Sequence, residues 1–174
     1  MVMDLSGYIR TVPDYPVKGV NFYDVNSLFA CNIWPSAVEH LTVRTQATFN
    51  WPSHIVGIES RGFVVGAALA QAMRLPFVMV RKKGAKYPGS LLEETYELEY
   101  GSDTLTLQEG IFGHTSRVII ADDLIATGGS MSAAKLLVEQ TGATVLGAVT
   151  VVNLTYLNTS LGIDTPVVAL LEVN

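Results

Sequence analysis

The stretch Val118-Ile119-Ile120-Ala121-Asp122-Asp123-Leu124-Ile125-Ala126-Thr127-Gly128-Gly129-Ser130 decides the fold. Val118 to Ala121 is a continuous apolar run, the pattern of a strand covered on both faces. Two carboxylates stand at its end and open a turn from Asp122 to Gly129. A helix is then expected from about Ser130 to Gln140, ended by Gly142. The turn offers small residues, two hydroxyls and a run of backbone N–H groups at a helix start. A phosphate monoester needs those features: close backbone approach, hydroxyl donors and a helix dipole. Asp122 and Asp123 cannot help a phosphate, but they can accept hydrogen bonds from vicinal hydroxyls. A sugar phosphate satisfies both halves. The plain alternative is an Asp-rich turn followed by a Ser N-cap. No Walker loop and no GxGxxG occurs, so nucleotide hydrolysis and dinucleotide binding lack their usual signature.

Outward from this stretch the same alternation repeats. His54 to Ile58 reads as a buried strand, Glu59 to Gly62 as a turn, and Phe63 to Met73 as an apolar helix. Phe77 to Val80 is the next strand, and Val145 to Val152 and Val167 to Leu171 supply two more. Upstream, a helix begins near Trp34-Pro35-Ser36, with Val38, Leu41 and Val43 on or near its buried face. Lys82 to Glu94 is polar, contains Gly and Pro, and is long for a connection, which marks it as a functional loop. Tyr96 to Tyr100 and Thr104 to Leu107 read as a hairpin across Gly101-Ser102-Asp103. The stretch from Arg10 to Asp24 has too many prolines for a helix and reads as an ordered loop carrying Tyr15, Phe22 and Tyr23. Strand and helix alternating in this way predict an α/β fold, a central parallel sheet flanked by helices. Ligands then sit at the carboxyl ends of the strands.

Composition narrows the function. The 174 residues suit one domain. Eleven Lys and Arg against 16 Asp and Glu leave a net charge of −5, which disfavours a nucleic-acid partner. Mean hydropathy is +0.34, yet the longest uncharged stretch, Gln140 to Ile163, is broken by Thr and Asn and reads as a strand rather than a membrane span. The early Asp4 and the lack of an apolar run near the N-terminus argue against a signal peptide, and hence for a cytoplasmic protein with no membrane partner. The single cysteine, Cys31, excludes an internal disulfide, and no Cys/His cluster has metal-ligand spacing.

Val118 to Ser130 resembles the PRPP-binding signature of the type I phosphoribosyltransferases. PDYPVKGVNFYDV from Pro13, ESRGF from Glu59, KYPG from Lys86 and YELEYGSDTLTL from Tyr96 narrow the resemblance to the adenine-using branch. It implies the type I fold, with a small base-binding hood over about residues 1–30 and a flexible loop and hairpin as lid. It also implies transfer of 5-phosphoribosyl from PRPP to adenine, giving AMP and pyrophosphate in purine salvage, with Mg²⁺ held mainly through PRPP rather than by protein ligands. A cytoplasmic homodimer is implied as well. By resemblance, Ala126, Thr127, Gly128, Gly129 and Ser130 bind the 5-phosphate, and Asp122 and Asp123 the ribose. Ser60, Arg61, Arg81, Lys82 and Lys86 take the pyrophosphate. Phe22 stacks on adenine, worth about 1–3 kcal/mol, while the backbone of Asn21 and Tyr23 reads its edge. Glu99 serves as proton donor at N7, and Tyr100 belongs to the lid. The sequence departs from the family pattern at Ala85, an extra residue before Lys86, at Tyr23, where many relatives are basic, and at Ser130, where threonine is commoner. Two rival readings are a phosphoribosyltransferase for another purine and a non-catalytic PRPP or nucleotide sensor on the same fold.

Overall fold

A computed structural model describes residues 4–5, 7–84, 86–97, 101–157 and 165–174. The parallel strands are β3 (His54–Ile58), β4 (Phe77–Lys82), β7 (Arg117–Ile125), β8 (Thr144–Leu154) and β9 (Val167–Val173). In the sheet they run in the order β4-β3-β7-β8-β9. The antiparallel pair β5 (Leu91–Glu97) and β6 (Ser102–Gln108) extends the β4 edge through β6. A separate two-stranded sheet joins β1 (Arg10–Val12) to β2 (Phe22–Asp24) within the expected N-terminal loop. The expected α/β architecture is present.

Alternation along the strands builds two cores. Ile55, Ile119, Ala121, Val149 and Val151 meet α2 (Trp34–Thr48) and α3 (Gly62–Met73) on one face. Val56, Ile58, Val118, Ile120 and Ala148 meet α4 (Gly129–Gln140) on the other. A short helix, α1 (Asn26–Phe29), precedes these. After β3 the chain builds outward through β4 on one side, then crosses back to place β7 on the other side of β3. The crevice at the carboxyl ends of these strands is therefore the switch point where α/β sheets hold ligands.

Three expectations need correcting. Asp122 and Asp123 lie within β7, because β8 keeps pairing with it past the apolar run: Asp122 faces Thr150 and Leu124 faces Val152. Strand length is set by the partner as well as by local sequence. The loop after β4 is shorter than Lys82 to Glu94, since β4 includes Lys82 and β5 begins at Leu91. Val43 is 65% exposed rather than buried. Two residues on from buried Leu41 is about 200° around a helix, the opposite face; Ala37, Thr42 and Thr45 complete the buried side.

Candidate active site

Two adjoining cavities open at the switch point. The first, about 360 Å³, is bounded by Glu59, Ser60 and Arg61 after β3, Lys82 on β4, Tyr96 on β5, Asp122 and Asp123 on β7, and Ser130 on α4. The second, about 690 Å³, lies between Val20 to Tyr23, Ala126 and Thr127, and the C-terminal pair Val173 and Asn174. Arg61 and Leu124 line both and form the wall between them.

The acid pair sits where charge is costly. Asp123 is 4% exposed, and its buried Oδ2 accepts no hydrogen bond among the described residues, although Arg61 Nε lies 2.9 Å away as an ion-pair partner. Asp122 Oδ1 accepts the Asp123 N–H at 2.9 Å. Burial first, then the neighbouring Asp123 charge, pushes the Asp122 carboxyl well above the ordinary carboxylate range. Burial also raises Asp123, against the pull of Arg61. A half-buried and a buried acceptor on adjacent residues, the second with an oxygen lacking a donor, suit vicinal hydroxyls. The start of α3 presses on the same group: a Cβ on Gly62 would stand 2.8 Å from Asp122 Oδ1 and 2.9 Å from Ala121 O. That contact needs glycine.

This burial gives the pair a measurable signature. Asp122 holds its proton more tightly folded than unfolded, so its contribution to stability falls as pH rises from 3.8 through the raised folded value. Asp122→Asn removes a carboxyl that the fold makes costly to ionise, and Tm near neutral pH should rise by about 3 °C. The gain should vanish towards about pH 4, where the wild-type group is already protonated. Turnover of PRPP should fall. Calorimetric scans across this range check it, and a variant that melts below wild type at neutral pH would contradict it.

Glu59 organises the cationic side. It accepts Lys82 N–H at 2.9 Å and the Arg81 guanidinium at 3.3 and 3.4 Å. Burial pushes its carboxyl up, but these donors outweigh it and hold Glu59 below its ordinary range. Lys82 Nζ pairs with Asp103 Oδ2 at 2.7 Å, which keeps the ammonium above its ordinary range against the effect of burial. Of the five residues expected around a pyrophosphate, Ser60, Arg61 and Lys82 border the first cavity. Arg81 instead lies between Glu59 and the Tyr87 ring, 5.6 Å from its centroid, and Lys86 is exposed.

The phosphate turn is divided between the cavities, with Ala126 and Thr127 on one and Ser130 on the other. Gly128 caps α4 in the left-handed region, φ +87°, and its carbonyl accepts Ser132 N–H at 2.9 Å. Asn21, Phe22 and Tyr23 all border the larger cavity. Phe22 belongs to neither core; its ring meets Tyr15 edge-on at 5.2 Å and the Arg61 guanidinium at 5.7 Å. Tyr23 packs partly against the core of α2 and α3. Glu99 and Tyr100 lie outside the described residues, as does Ala85.

Sequence reading missed Glu59, Leu124, Tyr96 and Asp103, together with the wall formed by Tyr156, Leu157, Val173 and Asn174. Leu124 was accessible through alternation, since it shares a side of β7 with Asp122. The C-terminal wall had no local signal, because only the pairing of β8 with β9 brings it there.

An acid pair with one buried member, a left-handed glycine at a helix start and a cationic turn meet at one switch point, an arrangement suited to a phosphorylated sugar. Comparison with known proteins agrees. The phosphoribosyl transferase domain family matches residues 28–160. An adenine phosphoribosyltransferase of Rhodospirillum centenum is 44% identical over 98% of each chain. The crystal structure of the Rhodothermus marinus adenine phosphoribosyltransferase matches with 40% identity and a TM-score of 0.85, over 97% of this chain and 96% of that one. The Saccharomyces cerevisiae enzyme, solved with an imino-altritol bisphosphate and adenine, matches with 38% identity and a TM-score of 0.89, over 95% and 96%. The chain belongs to the phosphoribosyl transferase family, in its adenine phosphoribosyltransferase branch.

Proposed function

We infer that this chain transfers the 5-phosphoribosyl group of PRPP to N9 of adenine, releasing pyrophosphate and forming AMP. The observation that carries the reading is the shared wall: Arg61 and Leu124 separate an acidic, cation-rimmed cavity from one bordered by Phe22. A sugar placed over Asp122 and Asp123 then lies between its leaving group and its acceptor base.

The residues divide the work. The turn from Ala126 to Ser130 holds the 5-phosphate through backbone N–H groups, hydroxyls and the α4 dipole. Asp122 and Asp123 accept the ribose hydroxyls and lie near the positive charge that develops as the glycosidic bond breaks. Ser60, Arg61 and Lys82 draw off pyrophosphate, with Arg81 and Lys86 as further cations for it. Phe22 stacks on adenine, the backbone of Asn21 and Tyr23 reads its edge, and residues 1–30 act as a hood. Glu99 supplies the proton or hydrogen bond at N7, and Tyr100 helps exclude water.

Two carboxylates beside a polyphosphate also fit Mg²⁺, which keeps most of its shell from phosphate oxygens and water. Among the described residues, no three His, Cys, Asp or Glu side chains gather as a cage. Bound with PRPP, the ion would neutralise the departing pyrophosphate, and Asp122 and Asp123 are the residues placed to orient it. We further propose a cytoplasmic homodimer. Val64 on α3 and Met79 on β4, 43% and 38% exposed, are apolar side chains on mutually packed elements that a second copy could cover.

Initial rates with PRPP and adenine, hypoxanthine or guanine test the reading. A 6-oxopurine mismatches donors and acceptors in a buried site, so adenine should lead in kcat/KM by about 10³-fold or more. Comparable rates would favour an enzyme for another purine, and binding of PRPP without turnover of any base would favour a sensor.

A further inference from the structure

Arg61 makes two contacts that the substrates would also claim. Its Nε stands 2.9 Å from Asp123 Oδ2, and its Cζ lies 5.7 Å from the centre of the Phe22 ring. The side chain is 46% exposed and borders both cavities. The guanidinium thus covers aromatic surface on which a purine would stack. It also neutralises a buried carboxylate whose Oδ2 accepts no hydrogen bond among the described residues.

We propose that Arg61 is a positioning residue that couples the two substrates: it must leave Phe22 for the base to stack, and PRPP supplies the means. Ribose hydroxyls donate to Asp123 Oδ2 and replace the guanidinium there. The pyrophosphate of the same molecule, in the cavity that Arg61 also borders, attracts the guanidinium away from the ring. Neither displacement is favourable for the base alone. A neutral purine offers Asp123 no compensating cation, and a buried carboxylate stripped of its partner is costly. The base therefore binds weakly without PRPP and more tightly with it. The two affinities are linked by one reciprocal factor, expected in the common range of about 5- to 150-fold.

This rests on the proposed placement of the base against Phe22 and of ribose against Asp123, and the test separates the two ideas. The probe is 9-deazaadenine, whose carbon at position 9 prevents formation of the N-glycosidic bond. Its affinity for the full chain is measured by calorimetry in magnesium buffer, with and without saturating PRPP, for wild type and for Arg61→Met and Arg61→Gln. Wild type should gain at least about 5-fold from PRPP. Both variants should bind the probe alone more tightly than wild type and lose most of the PRPP-dependent gain. Their turnover with adenine should nonetheless fall, because a pyrophosphate contact is also lost. Tighter base binding with slower reaction is a combination that neither a purely structural arginine nor a pyrophosphate contact alone would produce. Variants that bind the probe alone no better than wild type, or that keep the full PRPP-dependent gain, overturn the proposal. Phe22→Ala is the control: unchanged probe affinity there would instead remove the base from this ring.

Discussion

Gly128→Val should lower PRPP affinity by at least about 100-fold while leaving a folded protein. Two effects add. Gly128 has φ +87°, where a β-branched residue is strained, so the turn must rebuild around it. The new side chain would also occupy the phosphate's approach to the backbone. Losing two charge-assisted hydrogen bonds at about 1.5–3 kcal/mol each gives the expected magnitude. Because Ser132 N–H donates to the Gly128 carbonyl, the first turn of α4 should loosen and Tm should drop by a few degrees. Gly128→Ala should fall between, since it carries most of the backbone strain and little of the bulk. Equilibrium binding of PRPP, with thermal melts in parallel, reads both effects. A folded valine variant with wild-type affinity would remove the phosphate from this turn.

Glu99→Leu should slow ribosyl transfer by about 10²–10⁴-fold, the usual range for a general acid. The contact proposed at N7 strengthens only as the new glycosidic bond draws electrons from the ring, so it belongs to the transition state. Glu99→Gln, which keeps a donor but has no transferable proton, should be intermediate. PRPP affinity should change little in either variant. Single-turnover rates are the measurement, because slow product release could mask the step in kcat. A leucine variant reacting at the wild-type single-turnover rate would assign the proton to another group.

The parallel sheet and its helices were legible because burial on both faces forces continuous apolar runs. Val118 to Ala121 and His54 to Ile58 are runs of that kind, and both lie in the middle of the sheet. Legibility failed where a partner element decides. Asp122 reads as a turn residue until β8 is seen pairing beside it, and Leu91 to Glu94 reads as loop until β6 supplies the opposite strand. The candidate site divides in the same way. Residues carried on one short stretch, from Ala126 to Ser130 or from Asn21 to Tyr23, could be named from local chemistry and resemblance. Glu59 could not, because its role is to gather Arg81 and Lys82, and that appears only once β3 and β4 lie side by side.

The close seat of Gly62 on Asp122 changes where tolerance to substitution should be sought. A side chain with no atoms beyond its α-carbon takes no part in binding or proton transfer, and an inventory of reactive groups would pass over it. Yet the space at position 62 is already filled, by the carboxylate and by the carbonyl of the preceding β7 residue. The accuracy of the acid pair is therefore held in common by two segments that are distant along the chain. Drift at either one is felt at the other, and the freedom of α3 to vary in sequence begins only after its first residue.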